Sequence, residues 1–311
     1  MISFTSNVKN EVASLDGTRN ENIAMLSAIL RNNMRYEDDS IIITTENSKV
    51  AKRIYLLLSD IYNISVSITD KENSFNRNRL YLLNVNDKID FILKDLSIMD
   101  DYNHYIERVC DYLLDSEDEK RAYLKGIFLS CGSINDPKTS RYHLEFFIDK
   151  EKEAFFVNDL LNEYYLNSKV ILKDKKYMVY IKEAEKIGDF LRIINANQAV
   201  MYYEDIRIYR DHKNMTNRLN NMEQANIEKV INTSNEQKRD IDIILEKLGE
   251  DVLDEKINEA IKYRLKYPES SLQELSEIMT LEIGKNISKS GLNHRFRKIR
   301  EMAKRIKDSE K

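Results

Sequence analysis

Residues 124–134 read LKGIFLSCGSI, an apolar helical run that ends against a glycine-containing turn, and the fold follows from what surrounds it. The helix opens upstream as DEKRAYLKGIFLSC (118–131). Downstream come a strand YHLEFFI (142–148), a helix KEKEAFFVNDLLNEYY (150–165), strands SKVILK (168–173) and YMVYI (177–181), and a helix AEKIGDFLRII (184–194). The same order occurs about a hundred residues earlier, and self-similarity of that period marks an internal repeat. There the elements are NENIAMLSAILRNN (20–33), IIITT (41–45), NSKVAKRIYLLLSDIY (47–62), ISVSIT (64–69), RLYLLNV (79–85) and DKIDFILKDL (87–96). Strands of alternating or continuous apolar character interleave with helices of period 3.6, which predicts an α+β body of two pseudo-symmetric halves, at about 20–97 and 117–195.

Leu124 through Gly132 resembles the helix-end signature of the LAGLIDADG homing endonucleases. The resemblance implies that two such helices pack at a pseudo-two-fold axis and that an acidic residue from each end holds Mg²⁺. Two carboxylates suit that chemistry because Mg²⁺ takes oxygen ligands and must bridge the scissile phosphate. Aligning the signature puts Cys131 at the acidic position of the second half, and Leu26 through Met34 puts Asn33 at that of the first. A thiol and a carboxamide do not replace two carboxylates, so both catalytic positions read as lost and no nuclease or other enzymatic activity is expected. The body is left with three open roles: gripping duplex DNA, binding a partner, or sensing a ligand.

At 311 residues, 42% hydrophobic and 33% charged, the chain is long enough for two domains with real cores. No apolar run is long enough to span a bilayer and the N-terminus lacks a secretory pattern, so the expected location is the cytoplasm, on the nucleoid, with no membrane partner. Cys110 and Cys131 form no CxxC pair and no histidine cluster accompanies them, so neither a disulfide framework nor a metal site is expected. Seven glycines supply no GxxxxGK[ST] or GxGxxG loop, and no cofactor is expected. The net charge of −4 conceals a division: residues 285–311 hold ten Lys/Arg against three Asp/Glu, a net +7, which leaves −11 for residues 1–284. An acidic body with a basic tail can still bind nucleic acid through the tail.

The expected division is a body at 1–212, a polar linker at 213–225 and a helical DNA-binding domain at 226–311. Asn217, Arg218, Asn221, Asn226 and Lys229 form an amide-rich cluster around the linker. They read either as turn and cap residues or as contacts to DNA or between domains. Three helices follow. INEAIKYRLKY closes at Pro268, and Ser271 with Glu274 makes an S-x-x-E capping box for the second. The third starts near Ser288, after an extended turn, with Leu292, Phe296, Ile299, Ala303 and Ile306 as one buried stripe. Lys289, Asn293, Arg297, Arg300 and Lys304 project from the other side at helical spacing. That pattern suits a helix in the major groove. Asn293, Arg295 and Arg297 are candidates for base readout, because Asn matches adenine and Arg matches guanine by paired hydrogen bonds. Ser288, Lys289, Ser290 and His294 are candidates for backbone or base contacts, and Lys298, Arg300 and Lys304 for phosphate attraction.

The SLQELSEIM and ISKSGLNHRFRKI segments, the NRxxNxExAN stretch from Asn217 and the degenerate repeats together resemble the WhiA family over most of the chain. The resemblance implies an α+β two-repeat LAGLIDADG-like body followed by an all-α helix-turn-helix domain. It also implies a non-enzymatic regulator of transcription tied to cell division and chromosome segregation, with sporulation control in some lineages. Double-stranded DNA is the expected partner. The competing reading makes the basic helix a contact for RNA polymerase or another regulator.

Overall fold

A computed structural model describes residues 3–37, 40–72, 79–139, 141–249 and 253–309. They form two compact units, Met1–Arg210 and Asp211–Lys311.

In the first unit, helix α1 (Phe4–Val12) is followed by two copies of one arrangement. The first copy is α2 (Arg19–Asn33), β1 (Met34–Glu37), β2 (Ser40–Thr45), α3 (Ser48–Tyr62), β3 (Ser67–Glu72), β4 (Arg79–Val85) and α4 (Ile89–Asp95). The second is α5 (Glu117–Cys131), β5 (Gly132–Ile134), β6 (Leu144–Ile148), α6 (Glu151–Glu163), β7 (Lys169–Lys173), β8 (Lys176–Ile181) and α7 (Ala184–Ile193). Each copy makes a four-stranded antiparallel sheet, ordered β1-β2-β4-β3 and β5-β6-β8-β7. Alternation does the work within strands: Leu144, Phe146 and Ile148 are buried while Glu145 and Phe147 stand on the other face. Capping boxes at Thr18 with Glu21 and at Ser116 with Glu119 start α2 and α5.

The two signature helices lie at the centre, and both are buried over most of their length. A side chain at Gly126 would run into the Met25 carbonyl and meet Ala28 Cβ at 2.7 Å, so glycine lets α5 approach α2 to backbone contact. A buried polar cluster also joins the halves. Arg31 of α2 donates to Ile106 O at 2.8 Å and to Ser97 O, and faces Glu153 of α6 at 3.8 Å. Glu153 in turn accepts from Tyr123 of α5. The unforeseen α1 adds a second tie, since Thr5 Oγ1 donates to Ile134 O at 2.8 Å and accepts from Ile134 N at 2.9 Å. Glu11 caps the following helix by accepting from Gln198 N and Ala199 N at 2.7 and 3.0 Å.

That following helix, α8, runs from Asn197 to Leu248. Residues 213–225, expected as a linker, are therefore helical. Nothing between Asn197 and Leu248 is Gly or Pro, so no residue breaks the backbone ladder. The polar side chains that suggested an irregular segment are simply solvated, and residues 211–229 are exposed throughout. Gln224 Nε2 adds an i,i+4 bond to Glu228 Oε1 at 3.1 Å.

Candidate nucleic-acid interface

The second unit builds its core from Ile241 and Ile244 of α8 and from three further helices. These are α9 (Glu255–Lys266), α10 (Leu272–Ile283) and α11 (Lys289–Ser309). Ser271 accepts from Glu274 N at 3.2 Å while Glu274 accepts from Ser271 N at 2.8 Å, so the capping box starts α10 as its sequence predicts. Gly284 ends it in the left-handed region at φ 73°. The connection to α11 is five residues, 284–288, shorter than the extended turn expected, because Thr280 through Ile283 continue α10. Thr280 organises that connection: its hydroxyl donates to Ser276 O at 2.8 Å and accepts from Ile287 N at 3.0 Å. Ile287 is thereby buried in the core. Ser288 caps α11 by accepting from Gly291 N at 3.1 Å.

Leu292, Phe296, Ile299 and Ala303 are buried and Ile306 is half-buried, which fixes the inner face of α11. Ser288, Lys289, Ser290, Asn293, His294, Arg297, Lys298, Arg300 and Lys304 are all exposed. Within this set the side chains of Lys289, Asn293, Lys298 and Lys304 make no hydrogen bond or ion pair among the described residues, so they are available to a ligand. Arg297 Nη2 lies 3.3 Å from His294 Nδ1, and Arg297 Nε lies 3.9 Å from Glu301, an exposed and weak pair. Arg300 is tied more closely, to Glu236 at 2.5 Å and Asp240 at 4.0 Å on α8.

Arg295 departs from its expected role. It lies beside the buried stripe, 18% exposed, and Nη1 donates to Lys256 O and Glu259 Oε2 of α9, each at 3.1 Å. Helical spacing from Asn293 and Arg297 places it a third of a turn or more off their face, so it braces the domain. Asn217, Arg218 and Asn221 remain exposed on α8 without side-chain partners among the described residues. Asn226 and Lys229, in contrast, line one hollow together with Lys289. Glu259, Thr280, Glu236 and Asp240 carried no recognisable motif; only the fold gives them their partners.

Asn33 and Cys131, the two positions that the signature alignment marks, stand at the ends of the paired helices α2 and α5. Asn33 closes α2 and donates from Nδ2 to Thr44 O at 3.3 Å, so its amide is used within the sheet. Cys131 closes α5, and its sulfur lies 3.4 Å from Ile127 O. Burial pushes its thiol up to about 11, only partly offset by a hydrogen bond with Ser130 and by Lys9. An engaged amide and a protonated thiol do not fit a Mg²⁺ ion.

A model of the WhiA N-terminal LAGLIDADG-like domain matches residues 19–99, and one of the WhiA LAGLIDADG-like domain matches 120–213. A model of the WhiA C-terminal HTH domain matches 216–303. The chain belongs to the WhiA family. A Lactobacillus johnsonii protein described as "Probable cell division protein WhiA" is 41% identical over 99% of both chains. Its Lactobacillus gasseri counterpart, described in the same words, is 40% identical over 99% of both. Full-length DUF199/WhiA from Thermatoga maritima, in its crystal structure, shares the fold with a TM-score of 0.59 at 22% identity, over 97% of this chain and 98% of that one. The WhiA domains thus account for the two repeats and for α9 to α11. The WhiA helix-turn-helix model begins at residue 216, inside α8, in keeping with the contribution of Ile241 and Ile244 to its core.

Proposed function

We propose that this WhiA chain is a sequence-specific DNA-binding regulator that reads duplex DNA with α11 and has no nuclease activity. The observation that carries the reading is the exposed face of Lys289, Asn293, Arg297 and Lys304, opposite a buried stripe, on the second helix of a helix-turn-helix. Asn and Arg at the N-terminal end of such a helix suit base edges, and the lysines suit phosphates. The loss of nuclease chemistry rests on Asn33 and Cys131. The relatives' description as cell division proteins supports a role in cell division. Chromosome segregation and, in some lineages, sporulation genes are the further processes proposed. The partner is double-stranded DNA, and the site of action is the nucleoid in the cytoplasm.

Binding to duplex oligonucleotides should fall steeply with salt, because each neutralised phosphate releases counterions. Plasmid incubated with the protein and Mg²⁺ should stay intact. Salt-independent or absent duplex binding would overturn the reading. Leu281, 83% exposed on α10, favours the alternative in which this surface engages RNA polymerase or another regulator. Retention of RNA polymerase by the protein without DNA would support that alternative.

A further inference from the structure

Next to the N-terminus of α11 lies a hollow of about 390 Å³ bounded by Asn226 and Lys229 of α8, Arg264 of α9, the first turn of α10 and Lys289. Its charge is one-sided. Arg264 is 1% exposed, stacks over Phe296 at 5.4 Å, and donates from Nη1 to Ser270 O at 2.6 Å. Its Nε is buried with no hydrogen-bond partner, and among the described residues no carboxylate pairs with the guanidinium. Buried charges are ordinarily neutralised, and among the described residues this one is not. The first turn of α10 adds to the imbalance, since the Leu272 and Gln273 amides have no acceptor within the helix and the helix dipole is positive there. The carboxylates next in sequence to its lining residues are directed elsewhere: Glu274 is occupied in the capping box and lines the adjoining hollow together with Glu269, and Glu228 accepts from Gln224. A buried cation with no counter-ion among the described residues, first-turn amides with no acceptor within their helix and two exposed ammonium groups together ask for a compact anion with several acceptor oxygens.

We propose that this hollow binds a phosphate group, supplied by the DNA backbone, an assignment that rests on the duplex-binding reading above. Lys289 belongs both to the hollow and to the reading face of α11, so the held phosphate lies beside the bases being read. Backbone contacts of this kind fix register and carry no sequence information. The assignment also divides the asparagine-rich segment of α8: Asn226 and Lys229 serve the hollow, whereas Asn217, Arg218 and Asn221 do not.

The test uses the full chain as wild type, Lys229→Gln and Asn226→Asp. Both positions are exposed, so melting temperature should confirm that the variants fold. Each protein is titrated with a mixed-sequence duplex at several salt concentrations and, in parallel, with inorganic phosphate at constant ionic strength, followed by ³¹P line broadening. Lys229→Gln should lower the salt slope by about one phosphate, so its affinity deficit shrinks roughly 3.5-fold for a fourfold rise in salt. Asn226→Asp, which places a carboxylate in the hollow, should weaken duplex binding severalfold, and both variants should lose the phosphate broadening. Variants that match wild type in duplex affinity and slope would overturn the proposal while leaving DNA binding intact. A wild type that binds no duplex overturns both the functional reading and the backbone assignment. In that case, broadening lost in both variants would mean that the source is a free phosphate compound.

Discussion

Replacing Gly126 by alanine tests whether the two halves are held together as described. In an ordinary helix the change stabilises, by about 1 kcal/mol, because alanine has less backbone freedom to lose. Here the added methyl group meets Ala28 Cβ at 2.7 Å and presses on the Met25 carbonyl, a backbone atom that no rotamer change can move. Relief requires α2 to shift from α5, at an overpacking cost near the upper end of about 1–3 kcal/mol. The net loss is then about 2 kcal/mol, and in a unit of this size that lowers the melting temperature by roughly 4–8 °C. Calorimetry of the intact protein would read the transition of the repeat unit, and duplex binding through α11 should persist below it. A melting temperature unchanged or raised by Gly126→Ala would refute backbone contact between the signature helices.

Arg297→Ala should weaken specific DNA binding by about 1–3 kcal/mol, as for a lost base contact, in a mobility-shift titration. Arg295→Ala should instead lower the melting temperature of the helix-turn-helix unit with a smaller effect on affinity, and the opposite ranking would reverse their assigned roles. Thr280→Val keeps the side-chain shape but strands the Ile287 amide, so chemical denaturation should show a loss of about 1–3 kcal/mol. For Cys131, whose folded value is raised from 9.0 to about 11, the stabilising thiol form is fully present below pH 9 and is lost as pH rises through 11. Stability measured across that window should fall less in Cys131→Ala than in wild type.

The repeat was legible because Leu26 to Leu30 and Leu124 to Leu129 impose the same apolar helix on both halves, and the alternation of β6 has only one buried face to choose. The strands β1 and β5 were not. They continue directly from α2 and α5 for three or four residues and acquire their character only by pairing with β2 and β6. The helix α1 left a faint signal in Phe4, Val8 and Val12, spaced by four and all buried, but the segment is otherwise polar. In the second unit, helical spacing fixed which face of α11 is buried, and capping chemistry fixed where α10 begins. It could not show which flank residue a neighbouring helix would engage, which is why Arg295 read as a base contact until Glu259 was seen beside it. The polarity of residues 213–225 misled for a related reason: a fully solvated helix has no apolar period to detect.

The central claim is that α11 reads DNA. Its most direct test is genome-wide recovery of DNA crosslinked to the protein, comparing wild type with the Asn293→Ala/Arg297→Ala double variant. Discrete peaks that vanish in the variant are the predicted result. Peaks that persist unchanged, or none with wild type, would contradict it.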